Sequence, residues 1–319
     1  MKNKIILTGK HGRPSTREVY ASMNSGILVQ RRQIFSKTRQ LLRQYYRVFR
    51  NNDSKTMHKE PTISTLGAII VRWGTREEIE TDKTSIVYNQ SKAIAIATDK
   101  RQSRETFIAN NVSTPVLVTP QNFQDSYLPI IARPLVHSKG KNFVTLATRA
   151  AFVEHYTRNN QGWYYSQFIN KEREFRIHCA HSKVLAVMEK SNPNNGNIAW
   201  NRAQNDTEPF EYVKWSQVDD ENLKCVLEEA LKATAAVGLD MSGVDVMLCG
   251  GTAYVLEVNT APTLNTSPYV ASRWGMYFDW LFRVDTRREH WDFSEFKKGS
   301  SMIWKNFQLT ETKEVKETV

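Results

Sequence analysis

Polar side chains interrupt an apolar stretch near the carboxyl end of the sequence. In YVLEVN, Glu257 and Asn259 lie two residues apart, whereas Tyr254, Val255, Leu256 and Val258 predict a buried strand. Because successive side chains of a strand alternate between its faces, the two polar groups point to the same side. A buried carboxylate without a partner is costly, so a partner for Glu257 is expected on that side.

A third oxygen-bearing residue lies 12 positions before Glu257, in GVDVMLCGGTAYVLEVN. If the turn has an odd number of residues, such as Gly250 to Thr252, Asp245 and Glu257 become cross-strand partners on one face. A two-residue Gly-Gly turn would put them on opposite faces. In the first register Asp245, Glu257 and Asn259 converge, which suits Mg²⁺ held together with substrate phosphates. The alternative is an ordinary polar face of the sheet.

The surrounding pattern mixes strands and helices. A helix is predicted from Thr98–Asp99 to Asn110 or Asn111, and another over 220–240 that ends at Gly238. The aromatic residues of 274–282 predict a last packed helix, and residues 1–26 predict a loop. Strands are predicted at 66–74, 128–136, 163–169, 174–180 and 183–189, the last three as an antiparallel meander.

Positive charge is concentrated at the start of the chain. Residues 1–60 contain 14 Lys/Arg and 3 Asp/Glu, a balance of +11 that equals the net charge of all 319 residues. This basic arm predicts an acidic partner such as nucleic acid, an acidic protein or an anionic membrane surface, or else a solubilising tail. Apolar pairs recur every seven residues over 27–50, which predicts a basic amphipathic helix that docks on the main domain, pairs with another helix or lies on a polyanion.

The remaining composition narrows the class of protein. The three cysteines are far apart without a CxxC pair, which indicates neither a disulfide framework nor a cysteine zinc site. No apolar run approaches the roughly 18 residues that a membrane span needs, and the short apolar start does not resemble a secretory signal. We therefore expect a cytoplasmic protein.

The order of these motifs resembles the ATP-grasp superfamily, most closely its RimK-like branch of carboxylate–amine ligases. GVDVM…YVLEVNTAPTL is similar to the metal-binding hairpin of that family, and NQSKAIAIATDKRQSRETFIANNVSTP to its Asp-Lys strand and helix. The resemblance covers roughly residues 66–265. It implies an α/β fold of the α+β type, with a nucleotide held between two α+β lobes. We accordingly predict a basic N-terminal helical extension (1–60), a short N-terminal lobe (61–117), an ATP-grasp domain (118–270) and a C-terminal helix and tail (271–319).

The resemblance also implies roles for individual residues. It implies that Asp245, Glu257 and Asn259 bind Mg²⁺, or alternatively Mn²⁺. It also implies that Arg176 lies near the reacting phosphate. The ATP-binding residues that it implies are Lys100 for phosphate, the hinge residues Gln167, Phe168 and Ile169 for adenine, and Glu174 for ribose. Asn201 matches an asparagine that precedes a glycine-rich stretch in the family.

Several positions depart from the family pattern. Arg133 stands where the second phosphate lysine is expected, and the two side chains are not interchangeable. The loop over the phosphates has one glycine, Gly140, between Lys139 and Lys141. AQND follows Asn201 and its arginine where a double glycine is expected. These departures concern catalytic turnover more than nucleotide binding.

The resemblance implies ATP-dependent joining of a carboxylate to an amine through an acyl phosphate. The basic arm suggests that an amino acid is added to a macromolecular acceptor. Two alternatives remain: a phosphotransferase of the same fold, and a non-catalytic ATP-grasp protein that binds nucleic acid through its basic arm.

Overall fold

The protein, described by a computed structural model, contains three sheets that divide its secondary structure into separate units. The structure describes residues 4–9, 68–74, 76, 83–135, 143–190, 210–212, 221–262, 270, 273–274 and 277, and for 4–9, 68, 210–212 and 221–222 it describes the backbone only. The predicted helix over 27–50 lies outside these residues. The mixture of helices and sheets confirms the predicted α+β class.

The first sheet is parallel and consists of β1 (Lys4–Gly9), β2 (Ala68–Trp73) and β3 (Ile86–Tyr88). The prediction of a loop over 1–26 is therefore wrong for Lys4–Gly9, which pairs with β2 along its whole length. Parallel strands need a long crossover connection, and here that connection is residues 10–67. Twelve of the 14 basic residues of 1–60 lie in it. The basic segment thus lies in the sequence between two paired strands of the first sheet.

The central sheet has the strand order β11-β10-β7-β8-β9 and is antiparallel. Its strands are β7 (Arg173–Ala180), β8 (Lys183–Lys190), β9 (Phe210–Tyr212), β10 (Met241–Cys249) and β11 (Thr252–Asn259). Three helices cover one face: α1 (Ser91–Thr98), α2 (Lys100–Ala109) and α4 (Glu221–Ala236). Every second residue of β7, namely Phe175, Ile177 and Cys179, packs in this core against α4. The intervening residues of β7 therefore lie on the other face.

A smaller sheet has the strand order β5-β4-β6 and carries α3 (Arg149–Asn159). Its strands are β4 (Ile130–Pro134), β5 (Val144–Leu146) and β6 (Trp163–Gln167). The predicted meander of three strands is therefore wrong for β6, which pairs with β4, while β7 and β8 do form a hairpin. Periodicity identifies a strand but not its neighbour, which depends on tertiary contacts.

Two stretches of chain connect this small lobe to the central sheet. Ser113 and Thr114 lie beside β11, where the N–H of Val255 donates to the Ser113 carbonyl at 2.8 Å. Two residues later the same stretch pairs with β6, because the N–H of Gln167 donates to the Val116 carbonyl at 2.9 Å. The second stretch runs from Gln167 into β7.

Local sequence signals fix the ends of two helices. The Asp99 carboxylate accepts hydrogen bonds from the backbone N–H groups of Arg101 and Gln102, at 3.0 and 2.9 Å, and so caps α2 where the sequence predicts it. After α4, Gly238 has a φ of 75° and donates its N–H to the Ala235 carbonyl. This left-handed residue ends the helix at the predicted glycine. The helix α1 has no counterpart in the sequence prediction.

One buried asparagine joins the first sheet to the central sheet. The side-chain oxygen of Asn89 accepts the N–H groups of Asp240 and Met241, at 3.0 and 2.9 Å. Its side-chain nitrogen donates to the carbonyls of Arg72 and Met241, at 3.3 and 3.0 Å. Asn89 also has a φ of 58°, a conformation that asparagine tolerates better than most residues.

We expect Asn89→Ala to lower the free energy of unfolding by roughly 3 kcal/mol, because it leaves several buried backbone groups without partners. Asn111→Ala is the matched control, since Asn111 has a φ of 54° but is exposed. Both variants are measured by urea denaturation. Equal losses in the two variants would show that the left-handed backbone, and not the hydrogen bonds of Asn89, determines the effect.

Candidate functional site

The hairpin of β10 and β11 places Asp245 opposite Glu257, although its turn is shorter than the predicted odd-numbered turn. Cys249 pairs with Thr252, so Gly250 and Gly251 alone form the turn. The register then shifts by one residue between Val246, which faces Val255, and Asp245, which faces Glu257. This β-bulge reverses the face to which the later side chains of β11 point. Glu257 therefore lies on the same face as Asp245, which a two-residue turn without a bulge would prevent.

The polar face of the central sheet carries a row of three charged side chains, Glu257, Asp245 and Arg176, on neighbouring strands. Nε and a terminal nitrogen of Arg176 donate to the two carboxylate oxygens of Asp245, both at 2.7 Å. Arg176 is 6% exposed and Asp245 is 8% exposed. A two-point ion pair with this little solvent contact fixes the orientation of both side chains.

Asn259 completes the predicted ligand set from the next position on the same face of β11. Its side-chain nitrogen lies 3.4 Å from Oδ2 of Asp245. Its cross-strand partner is Gly243, where an added Cβ would lie 2.5 Å from Cβ of Pro262. The absence of a side chain at Gly243 therefore lets the chain after β11 fold back over the sheet beside Asn259.

Lys100 reaches this row from the first turn of α2. Its Nζ lies 2.5 Å from Oε2 of Glu257. The positive charge of Lys100 lowers the pKa of Glu257 well below its usual value, and burial opposes this shift. Burial lowers the pKa of Lys100, but Glu257 more than offsets it, so the pKa of Lys100 is raised. Burial raises the pKa of Asp245 against the opposing effect of Arg176.

A second group of charges surrounds Glu174, the predicted ribose-binding residue. Glu174 forms ion pairs with two lysines that the sequence analysis did not identify, Lys171 and Lys190. The side chains of these lysines are only 4% and 6% exposed. Burial lowers the pKa of Lys171; Glu174 opposes this, and the charges of Lys190 and Arg133 lower it further. The charges of Glu174 and Arg133 thus both act on Lys171.

The hinge residues Gln167 to Ile169 lie at the end of β6, at the boundary of the two lobes. The N–H groups of Gln167 and Phe168 donate to the carbonyls of Val116 and Pro129. Within the described part of the chain, the Ile169 N–H makes no hydrogen bond. Of the three predicted adenine-contacting residues, Ile169 therefore has the backbone donor that a base can use.

Other predicted positions lie outside the described residues: Lys139, Gly140 and Asn201. Within the described residues, no group of three or more His, Cys, Asp or Glu side chains forms a metal site. A metal bound here would therefore depend on the two carboxylates, the Asn259 amide and oxygens of a bound substrate. None of the helices that the structure describes has the length and apolarity to cross a membrane.

Comparisons with known proteins identify the class to which this fold and site belong. The model of the RimK-like ATP-grasp domain matches residues 92–271, so the chain belongs to the RimK-like ATP-grasp family. No curated protein matches the chain.

Solved structures share the fold at low sequence identity. The ATP-grasp ligase PsnB, complexed with a minimal precursor, Mg and ADP, has a TM-score of 0.58 and 12% identity, over 89% of this chain and 98% of that one. The D-alanine–D-alanine ligase of Bacillus anthracis has a TM-score of 0.51 and 14% identity, over 87% of this chain and 93% of that one. These likenesses confirm the predicted ATP-grasp fold.

The pairing of Lys100 with Glu257 predicts how stability depends on pH. Because the pKa of Glu257 is lowered, the ion pair contributes stability above the ordinary value of 4.5, and this contribution is lost as the pH falls through the lowered pKa. We expect Lys100→Met to be less stable than the wild type at pH 7, with a difference that shrinks towards pH 3.

Urea midpoints at pH 7, 5 and 3 measure this difference. Lys92→Met is the control, because Lys92 is exposed on α1. A difference for Lys100→Met that is the same at all three pH values would contradict the ion-pair assignment.

Proposed function

We propose that the chain is an ATP-dependent ligase that joins a carboxylate to an amine through an acyl phosphate. The observation that supports this function most directly is the row Glu257–Asp245–Arg176 with Lys100 beside it. The row combines two carboxylates for a metal with two cations for phosphate oxygens. An acyl phosphate is needed because a free carboxylate is a poor acceptor for an attacking amine.

The charge of the site favours a polyanionic substrate. Three carboxylates, Asp245, Glu257 and Glu174, lie among six cationic side chains in the described part of the chain: Lys100, Arg104, Arg133, Lys171, Arg176 and Lys190. Several of these cations are buried, and a buried cation is stabilised by nearby negative charge. The polyphosphate of ATP would bring further negative charge to this cluster, and catalysis of phosphoryl transfer depends mainly on such positioning and electrostatics.

The residues present fit Mg²⁺ because they offer oxygen ligands on one face. Asp245, Glu257 and Asn259 would hold the metal, with Mn²⁺ as an alternative. When bound, the metal would neutralise negative charge on the phosphate oxygens. Arg176 would orient the acyl phosphate, since its guanidinium is already fixed by Asp245. Lys100, Arg133 and Lys190 would hold the phosphate chain, and Ile169 and Glu174 would hold the nucleoside.

The basic segment of the chain bears on the nature of the acceptor. The 10–67 segment joins β1 to β2 and supplies most of the excess charge, so we propose that it attracts an acidic macromolecular acceptor in the cytoplasm. A protein that only binds nucleic acid through this segment is the competing proposal, favoured by Arg133 and the single glycine of the phosphate loop.

We expect Glu257→Gln to lose Mg²⁺-dependent ATP binding, because the amide is a weaker metal ligand and no longer attracts Lys100. Calorimetry with ATP in the presence and absence of Mg²⁺ measures this loss. Glu154→Gln is the control, since Glu154 forms an exposed ion pair on α3. Unchanged binding by Glu257→Gln would remove the metal assignment, and release of ADP only when an amine is present would separate a ligase from a phosphotransferase.

We also expect replacement of six arginines in the basic segment by glutamine to leave Mg-ATP binding unchanged and to weaken binding of a polyanion. The six are Arg31, Arg32, Arg39, Arg43, Arg47 and Arg50. Polyglutamate and a single-stranded oligonucleotide serve as probes, with affinity measured against salt concentration. Tight oligonucleotide binding without ATP turnover by the wild type would favour the competing proposal, and unchanged polyglutamate affinity in the variant would contradict the role of the segment.

A further inference from the structure

Arg104 is a buried cation that the roles assigned above do not use. It lies four residues after Lys100, so the two side chains share one face of α2. It is only 4% exposed, between the buried residues Ser103 and Phe107. Like charges at this spacing repel, and a charge on the buried face of a helix is costly. A specific interaction is therefore needed to explain Arg104.

The contacts of Arg104 within the protein use little of its hydrogen-bonding capacity. Its Nη1 donates to the Pro115 carbonyl at 3.2 Å. In the part of the chain that the structure describes, Nε and Nη2 make no hydrogen bond, yet neither is fully enclosed. Both nitrogens therefore reach an accessible surface, although the residue as a whole is buried.

The neighbours of Arg104 locate this surface at the candidate site. Burial lowers the pKa of Arg104 to about 10; Tyr164 and Glu257 oppose this shift, and the nearby charge of Arg133 adds to it. Tyr164 is the cross-strand partner of Arg133, and Glu257 is the partner of Lys100. Arg104 thus lies among the residues proposed to hold phosphate, and no described carboxylate forms an ion pair with it.

We propose that Arg104 binds the nucleotide polyphosphate together with Lys100 and Arg133, an inference that rests on the proposed function. A guanidinium presents several N–H groups in one plane and matches the oxygens of a phosphate. The hydrogen bond to the Pro115 carbonyl orients that plane. Pro115 belongs to the stretch that joins the central sheet to the small lobe. The bound phosphate relieves the repulsion between Arg104, Lys100 and Arg133.

Calorimetry with Mg-ATP, Mg-ADP and adenosine tests this assignment on the full chain. Leucine suits the buried face of a helix, so Arg104→Leu removes the charge with little change in packing. We expect this variant to bind ATP and ADP roughly 10- to 100-fold more weakly than the wild type, and adenosine equally well. Arg104→Lys keeps the charge without the planar donors, and an intermediate loss is expected.

Arg101→Leu is the matched control, because it removes an arginine of α2 that tethers the two lobes. Arg101 lies on the same helix, and its Nη2 donates to the carbonyls of Asn160 and Trp163 in the small lobe, at 2.9 and 2.8 Å. We expect this variant to lose at most a few-fold in ATP affinity, because its guanidinium is bound to backbone carbonyls. A loss similar to that of Arg104→Leu would mean that tethering alone explains both.

Other outcomes separate this inference from the proposed function. If wild type binds ATP and Arg104→Leu binds it equally well, Arg104 has no role in phosphate binding while the proposed function stands. If Arg104→Leu weakens ATP and adenosine by the same factor, Arg104 only shapes the cleft. If wild type binds adenosine but not ATP, both proposals fail. Should Arg104→Leu not fold, Arg104→Lys decides the question, since unchanged ATP affinity in that variant overturns the inference.

Discussion

The buried ion pair between Arg176 and Asp245 is the interaction on which the site depends. Two carboxylates on neighbouring strands, Asp245 and Glu257, would repel each other if neither had a partner. Each instead has a cation: Arg176 grips Asp245 at two points, and Lys100 pairs with Glu257. Removing one member of a buried pair leaves an uncompensated charge and is strongly destabilising. The cations that stabilise the row are also the groups that a phosphate would attract. A bound metal would replace these cations as the partner of the carboxylates, and a bound nucleotide would replace the carboxylates as the partner of the cations. All of these side chains are already in position.

The sequence predicts which polar residues share a face, but the exact register depends on a feature that it does not show. The spacing of Glu257 and Asn259 is enough to place them on one side of β11. The pairing of Asp245 with Glu257 requires either an odd-numbered turn or a bulge, and the expectation from the sequence included only the odd-numbered turn. The chain combines a short Gly-Gly turn with a register shift beside Leu256. Nothing in the local pattern of apolar residues marks this shift, because β-bulges depend on how two strands fit together.

Long-range pairing explains the other differences between prediction and structure. The strand Lys4–Gly9 is short, and its partner in the sheet lies beyond a connection of 58 residues, so the local sequence does not indicate the pairing. Lys190 pairs with Glu174 from an adjacent strand, and Arg104 lies one turn after Lys100 on the same face of α2. Sequence motifs identify residues that a family shares at fixed positions. They miss cations at positions outside those motifs.

These additional cations change the significance of the departures from the family pattern. Arg133 in place of a lysine, together with a single glycine in the sequence of the predicted phosphate loop, would weaken the nucleotide binding that the family resemblance predicts. Arg104, Lys171 and Lys190 add positive charge at the same cleft, and they come from α2, from the stretch after β6 and from the end of β8. Because Arg133 belongs to the small lobe and Lys100 to α2, a polyanion that contacts both would hold the lobes together. A ligand that binds this arrangement of the lobes stabilises it by mass action. With ATP bound as proposed, the polyphosphate would therefore hold the two lobes together in addition to the direct contacts between them.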